Sequence, residues 1–309
     1  MTALPREITP GRVSGRCKNA ILLLNSPLPY FMIYRYLPAS PHLRPYIQHY
    51  VLTHLVMPKN QPVPLKPFPA KPEEGLTFYI RCAIEASSSR TGAAETRTGA
   101  VVVGQQTYRQ TLRFAHDYQM FHVQFQPGTL SKLLRVPMPE LLNRNLDARL
   151  VLGPEIRELT DRLADLYDYP EIYRLVEDFL WQKIRRVQNS LLPADTLGRL
   201  VLNDPHKFDL RYVADQACLS PSQFQRRFVQ QVGVPPKFYA RLARFYKAFQ
   251  VKKRYPHLDW LTVACQTGYY DYQHLVRDCR EFAGTTPTRL VEEENGSPAS
   301  VLGVTLQYY

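Results

Sequence analysis

Two segments of this chain repeat one pattern at a nearly constant distance, and that repeat constrains the fold of the carboxyl-terminal third more than any other feature. They are VADQACLSPSQFQRRFVQQVGVPP, Val213–Pro236, and VACQTGYYDYQHLVRDCREFAGTTP, Val263–Pro287. Val263 and Ala264 follow Val213 and Ala214 at an offset of 50. After a turn one residue longer the offset is 51, pairing Ser220 with Asp271, Phe224 with Leu275, Arg226 with Arg277, Gly233 with Gly284 and Pro236 with Pro287. Matches in this order and at this spacing indicate a duplicated supersecondary unit.

Each copy predicts helix, tight turn, helix. In the first, Asp209 is placed as an N-cap before an apolar face of Leu210, Val213, Ala214 and Ala217. Small Ala214 lets two helices cross closely. After the turn at Cys218–Leu219, Ser220 caps a second helix, with Pro221 at its first position and Gln223 completing a capping box. Phe224 and Phe228 share the inward face, and Gly233 can end the helix in the left-handed conformation. Cys218 occupies a turn position that favours glycine; if φ is positive there, its Cβ costs about 1 kcal/mol. Between the copies, Pro236–Arg254 carries an apolar stripe of Phe238, Leu242, Phe245 and Phe249. A helix over that span is about 28 Å long, and successive major grooves on one face of DNA lie about 34 Å apart. A rod of this order can hold two helix-turn-helix units over neighbouring grooves.

Outward-facing residues in the first turns of the second and fourth helices are then the base-contact candidates: Ser222, Gln225 and Arg226, and Tyr272, Gln273, Val276 and Arg277. Arg can bridge guanine O6 and N7, and Gln adenine N6 and N7. Val276 offers apolar contact alone. Arg227, Lys237, Arg241, Lys247, Lys252 and Lys253 are candidates for phosphate contact. The competing reading makes some of these arginines and lysines partners in surface ion pairs or solvating groups at a helix end.

The segment Asp204–Arg289 resembles the DNA-binding domain of the AraC/XylS family of bacterial transcription regulators. The likeness rests on VADQACLSPSQFQRRFVQQVGVPPKFY for the first reader and GYYDYQHLVRDCREFAGTTPTRL, with its Gly-Thr-Thr-Pro ending, for the second. It covers less than a third of the chain. The first 150 or so residues, beginning with YRYLPASPHLRPYIQHY, resemble a sensor-type amino-terminal domain found on some members. The resemblance implies sequence-specific binding to duplex DNA, and its base-contacting positions fall on the residues named above. Two departures stand out: Cys279 replaces a large aromatic, which predicts looser packing of the second unit, and Tyr269–Tyr270 bulk its turn.

Charge agrees with a polyanionic partner. Thr196–Leu290 holds 15 Lys/Arg against 7 Asp/Glu, whereas Met1–Asp195, twice as long, holds 24 against 17. The same surplus could also serve as a solvated face. The expected partners are double-stranded DNA and RNA polymerase, together with a second copy of the chain and a small-molecule effector. Whether the chain activates or represses stays open.

Upstream, the expected architecture is α+β. Residues 1–31 predict a loose arm, with Met32 as an alternative start. Residues 32–153 predict a β-rich sensor or dimerisation domain, a sandwich or small barrel, from the runs Leu76–Ile84, Ala100–Gln106, Arg109–Ala115 and Tyr118–Pro127. Pro38–Tyr50 is a turn leading into an amphipathic piece, Lys59–Pro72 a Pro-punctuated loop, and Ser87–Gly99 a polar loop. Residues 154–190 predict helices with apolar faces Ile156–Leu166 and Ile172–Leu180, either a dimer seam or a cover for the strands. The DNA-binding domain spans 191–290 and a tail 291–309.

Five widely spaced cysteines form no CxxC or CxxH pair, so neither a disulfide framework nor a structural zinc site is expected, and a reducing cytoplasm fits best. No apolar run reaches membrane-spanning length, and Ala20–Ile33 is interrupted by prolines and polar residues. No phosphate-binding, dinucleotide or nucleophile-elbow motif occurs, so no catalytic residue, cofactor or metal is expected. His116 and His122 on the strand-rich domain raise the alternative of a cupin-like metal-dependent enzyme fused to a DNA-binding module, but the His-x-His followed by a spaced Glu is missing. A helical protein-interaction adaptor is the third reading.

Overall fold

A computed structural model describes residues 31–187, 197–203 and 205–301. The expected amino-terminal arm, the boundary around 189–195 and the extreme tail lie outside them. Eight strands form one antiparallel sheet: β1 (Phe31–Leu37), β2 (Ile47–Val56), β3 (Lys66–Phe68), β4 (Gly75–Ser88), β5 (Ala94–Val103), β6 (Gln110–Arg113), β7 (Asp117–Phe125) and β8 (Asn145–Asp147). The main path runs β1-β2-β7-β4-β5-β8, and β6 bridges β4 to β3. Long β4 makes this branching feasible. Its first half pairs with β7 and its second half with β6, and its register breaks after Tyr79, where Cys82 adopts a positive φ of 55°. A break of this kind bends a strand and curls the sheet.

Side-chain alternation sends the two faces of the curled sheet to different cores. Tyr50, Leu52, Leu76, Phe78, Val102, Phe121 and Val123 face one core, while Leu55, Tyr79, Ile84, Val101 and Tyr118 face the other. The first core is closed by α1 (Thr129–Leu134), α2 (Glu155–Ala164) and α3 (Tyr169–Ile184). Ile156, Leu159, Leu163, Ile172, Val176 and Leu180 are all buried there against the strands. The dimer-seam reading of these two apolar faces is therefore corrected: a sheet face that must be dry takes up the stripes within the same chain.

Four strands reach into segments where the sequence predicts other structure. β2 begins within the amphipathic piece, β3 lies within the Pro-punctuated loop, and β4 and β5 extend into the polar segment 87–99, leaving a turn between Ser88 and Ala94. β2 is buried on both faces, which weakens the period-2 signal.

The carboxyl-terminal part is helical: α4 (Leu197–Asn203), α5 (Leu210–Gln216), α6 (Pro221–Val232), α7 (Pro236–Arg254), α8 (Trp260–Gln266), α9 (Tyr272–Ala283), α10 (Pro287–Asn295) and α11 (Pro298–Val301). The α+β architecture matches the sequence expectation. The first unit packs Val213, Ala214, Phe224 and Phe228 with Tyr239 and Ala240 of α7. The second packs Val263, Ala264, Leu275, Cys279 and Phe282 with Leu242, Phe245 and Phe249 of the same helix. Helix α7 is thus a shared wall of both cores. The units also rest on the strand domain. Gly233 closes α6 against the carbonyl of Met138, and the Ala70 amide donates to the Phe282 carbonyl at 2.9 Å.

Burial in the sheet depresses two histidines. His49 is pushed down to about 4 by burial, with Glu73 opposing. His122, whose Nδ1 lies 2.8 Å from the Thr77 hydroxyl, is likewise pushed down to about 4 by burial against the pull of Glu73. Unfolded histidine takes up a proton near pH 6.5, whereas the folded protein resists it until about pH 4. Their neutral burial therefore favours the folded state fully above about pH 6.5 and progressively less as pH falls toward 4. Thermal unfolding followed by circular dichroism is expected to show Tm falling between pH 7 and pH 5; a flat Tm over that interval contradicts the assignment.

Candidate nucleic-acid interface

Helix α6 begins where its sequence says it should. Gln223 N–H donates to the Ser220 hydroxyl at 3.3 Å, and Ser220 N–H donates to Gln223 Oε1 at 3.1 Å. Cys218, at φ 53°, makes the turn, and Leu219 N–H reaches the Ala214 carbonyl at 3.0 Å. The condition named for a Cβ cost at Cys218, a positive φ, is met. With Phe224 and Phe228 fully buried, the opposite side of the first turns presents Ser222, Gln225, Arg226 and Arg227 to solvent. Gly233 ends the helix at φ 86°.

Helix α9 repeats the plan with different chemistry. Asp271 accepts from His274 N–H and faces His274 Nδ1, both at 2.8 Å. Gln273, His274, Arg277 and Arg280 are exposed, and Tyr272 is half-buried. Val276, expected at the base-contact face, is instead buried. It belongs to an inward stripe of Leu275, Val276, Cys279, Phe282 and Ala283, wide enough to take in the residue next to Leu275. Cys279 is buried in the core of this unit, and burial pushes its thiol up to about 12. In the same core Phe282 lies at ring-centroid distances of 5.5 Å from both Phe238 and Phe245.

The two tyrosines of the second turn split in role. Tyr270 stands almost fully exposed beside the start of α9, its ring 6.2 Å from that of His274. Tyr269 turns inward and donates to Asp278 Oδ2 at 3.0 Å. Exposed His274 and Tyr270 flank the start of α9, and neither is among the base-contact candidates read from sequence. The available signal was their position within three residues of the N-cap Asp271.

Three of the phosphate-contact candidates are engaged within the protein. Arg241 donates to Asp278 Oδ1 at 2.6 Å and to Glu281 Oε2 at 2.5 Å, tying α7 to α9. Lys252 donates to the carbonyls of Pro256 and Leu258 at 2.8 and 2.5 Å, closing the turn that follows α7. Lys253 pairs with buried Glu294 at 2.7 Å. Within the chain these three cations already have partners. A basic residue at the right helical phase gives no hint of a carboxylate or carbonyl brought across by another element. Arg227 and Lys237 are exposed and Lys247 is partly so.

His116 and His122 have different surroundings. His116 Nε2 lies 2.9 Å from the Gln61 carbonyl, while His122 is buried against Thr77. Among the described residues no three His, Cys, Asp or Glu side chains come together as a metal site would require. No described helix is long and apolar enough to cross a membrane.

Comparison with known proteins finds two separate matches along the chain. Residues 213–293 match a family described as a helix-turn-helix domain. Residues 34–147 match a domain of unknown function, DUF6597. No curated protein matches the chain. Among solved structures, ToxT from Vibrio cholerae is similar at 8% identity and a TM-score of 0.44, over 79% of this chain and 97% of that one. Unsaturated fatty acid-bound ToxT from V. cholerae strain SCE256 is similar at 9% identity and a TM-score of 0.43, over 90% and 98%. A DNA-binding transcriptional dual regulator from Escherichia coli K-12 is 19% identical with a TM-score of 0.29, over 33% of this chain and 97% of that one.

Buried Asp278 accepts from Arg241 and Tyr269 and lies 3.6 Å from Arg244. Asp278→Ala leaves the Tyr269 hydroxyl and Arg244 without this acceptor while Arg241 keeps Glu281, and urea unfolding is expected to show a loss of about 1–3 kcal/mol. A loss below about 1 kcal/mol, as for an exposed pair, contradicts this reading of the α7–α9 tie.

Proposed function

The chain carries the helix-turn-helix domain of AraC/XylS-type DNA-binding transcription regulators, and on that premise we propose that α6 and α9 enter successive major grooves on one face of a duplex while α7 spans the backbone between them. The observation that carries this reading is the sharing of α7 by both cores, which fixes two capped helices on one rod with their first turns open to solvent. Arg226 pairs with a guanine and Gln225 with an adenine in the first groove, with Ser222 alongside. Arg277 and Gln273 do the same in the second, and Tyr272, Tyr270 and His274 add contacts there. Arg227, Lys237 and Lys247 lie toward phosphates and set register rather than sequence. The role is binding rather than catalysis, with the strand domain as the regulatory partner of the reader.

A duplex selected from a random pool and a scrambled duplex of equal length provide the test, with binding followed by fluorescence anisotropy. Arg226→Ala is expected to lose about 1–3 kcal/mol on the selected duplex and little on the scrambled one. Lys237→Ala is expected to weaken both alike and to lower the salt slope by about one. Equal losses on both duplexes for Arg226→Ala contradict its assignment as a base reader.

A further inference from the structure

The duplicated units differ in chemistry at one matched position of their reading helices. Gln223 of α6 and His274 of α9 each stand three residues after the N-cap, at the offset of 51 that relates the two copies. Gln223 spends its amide oxygen on the cap, where Oε1 accepts from the Ser220 N–H at 3.1 Å. His274 does the reverse. Its ring turns to the N-cap side chain and places Nδ1 2.8 Å from Asp271 Oδ1, the same oxygen that accepts from the His274 amide at 2.8 Å.

An ionised carboxylate can only accept hydrogen bonds. Asp271 is held below the usual carboxylate range, first by the His274 amide and then by the His274 side chain. In the neutral ring the proton is therefore on Nδ1, and Nε2 keeps its lone pair. Nε2 lies across the ring from Asp271 and has no hydrogen-bond partner among the described residues. His274 is exposed, and the Tyr270 ring stands edge-on beside it. Exposed Arg277, three residues further on the same helix face, can only donate. Helix α9 thus sets an outward acceptor beside an outward donor.

In the major groove adenine N6 and cytosine N4 are donors, whereas guanine O6 and N7 and thymine O4 are acceptors. A lone pair in the first turn of α9 pairs with the amines and meets another lone pair at guanine or thymine. We propose that His274 is a specificity-determining residue of the second reader: Asp271 fixes its tautomer so that Nε2 accepts from the exocyclic amino group of an adenine or a cytosine. The tautomer stands on the α9 cap alone; the base class rests on the regulator reading above.

Two measurements separate these claims. The first is long-range proton–nitrogen correlation spectroscopy on the full chain without DNA, isotope-labelled at the histidine rings and recorded at about pH 8.5 on neutral imidazoles. It is expected to show the His274 proton on Nδ1, with His274→Gln assigning the signal by its loss. Asp271→Ser, which caps as Ser220 does, is expected to show both tautomers, because a hydroxyl donates as well as accepts. A proton on Nε2 in the wild-type chain, or an unchanged tautomer in Asp271→Ser, overturns the role of Asp271.

The second is fluorescence anisotropy on the selected duplex and on duplexes in which each base pair under the second reader is replaced in turn by the other three. At one position the wild-type chain is expected to favour adenine or cytosine on one strand over guanine or thymine by about threefold to tenfold. Inverting that pair moves the amine to the other strand and is expected to lose the preference. His274→Gln, which can rebuild the capping box of α6, is expected to lose the preference at that position and keep it at the others. The base preferred there tells adenine from cytosine. Unchanged preferences in His274→Gln, or a His274-dependent preference for guanine or thymine, overturn the base class. Failure of the wild-type chain to bind any duplex overturns the regulator reading and the base class with it, and leaves the spectra to judge the tautomer.

Discussion

The stripe of Tyr239, Leu242, Phe245 and Phe249 along α7 serves two hydrophobic cores at once, and the geometry of the reading domain follows from that double burial. A short helix that belonged to one core could pivot against its neighbour. A helix whose first half is packed under Phe228 and whose second half is packed under Phe282 cannot turn without opening one of them. Each large side chain in such a contact contributes about 1.5–3 kcal/mol when fully buried. The spacing and facing of α6 and α9 are therefore set by apolar packing, and the polar faces are left free for contact with a partner.

The two units share a plan but not a chemistry. The first is held almost wholly by apolar contacts, with the Ser220–Gln223 capping box fixing the entry to α6. The second places a charged hub inside: Asp278 accepts from Arg241 and Tyr269 and so locks α9 to α7. That hub uses up a cation that a count of charge assigns to DNA. It also explains the extra bulk in the second turn, since Tyr269 needs room to turn inward while Tyr270 is left outside. The second unit is the one stitched to the strand domain, through Ala70, Lys66 and Arg109, whose guanidinium lies 2.5 Å from Glu293. The first packs α6 on α1 and on the turn Met138–Leu141, with Leu142 against its core.

Much of the reading domain was legible because its signals are local. Caps at Asp209, Ser220 and Asp271, the closing glycines 233 and 284, and the bounds of α7 all depend on residues within a few positions of one another. What sequence could not show depends on long-range neighbours. Val276 looks outward if Leu275 alone marks the inner face, and only the width of the covered stripe decides otherwise. Arg241 and Lys253 look free until Asp278, Glu281 and Glu294 are brought beside them from 37 to 41 residues away. In the strand domain the misreadings have a common cause. β2 is buried on both faces, and β3 is a three-residue strand between prolines, so neither shows a period-2 pattern.

The central claim is geometric: one rod, two readers, two neighbouring grooves. Hydroxyl-radical footprinting of the full chain on its selected duplex tests it most directly. The account predicts two protected patches on the same face of the helix, about one helical repeat of 10–10.5 base pairs apart, with Arg226→Ala and Arg277→Ala each affecting a different patch. A single patch, or two patches on opposite faces of the duplex, would contradict it.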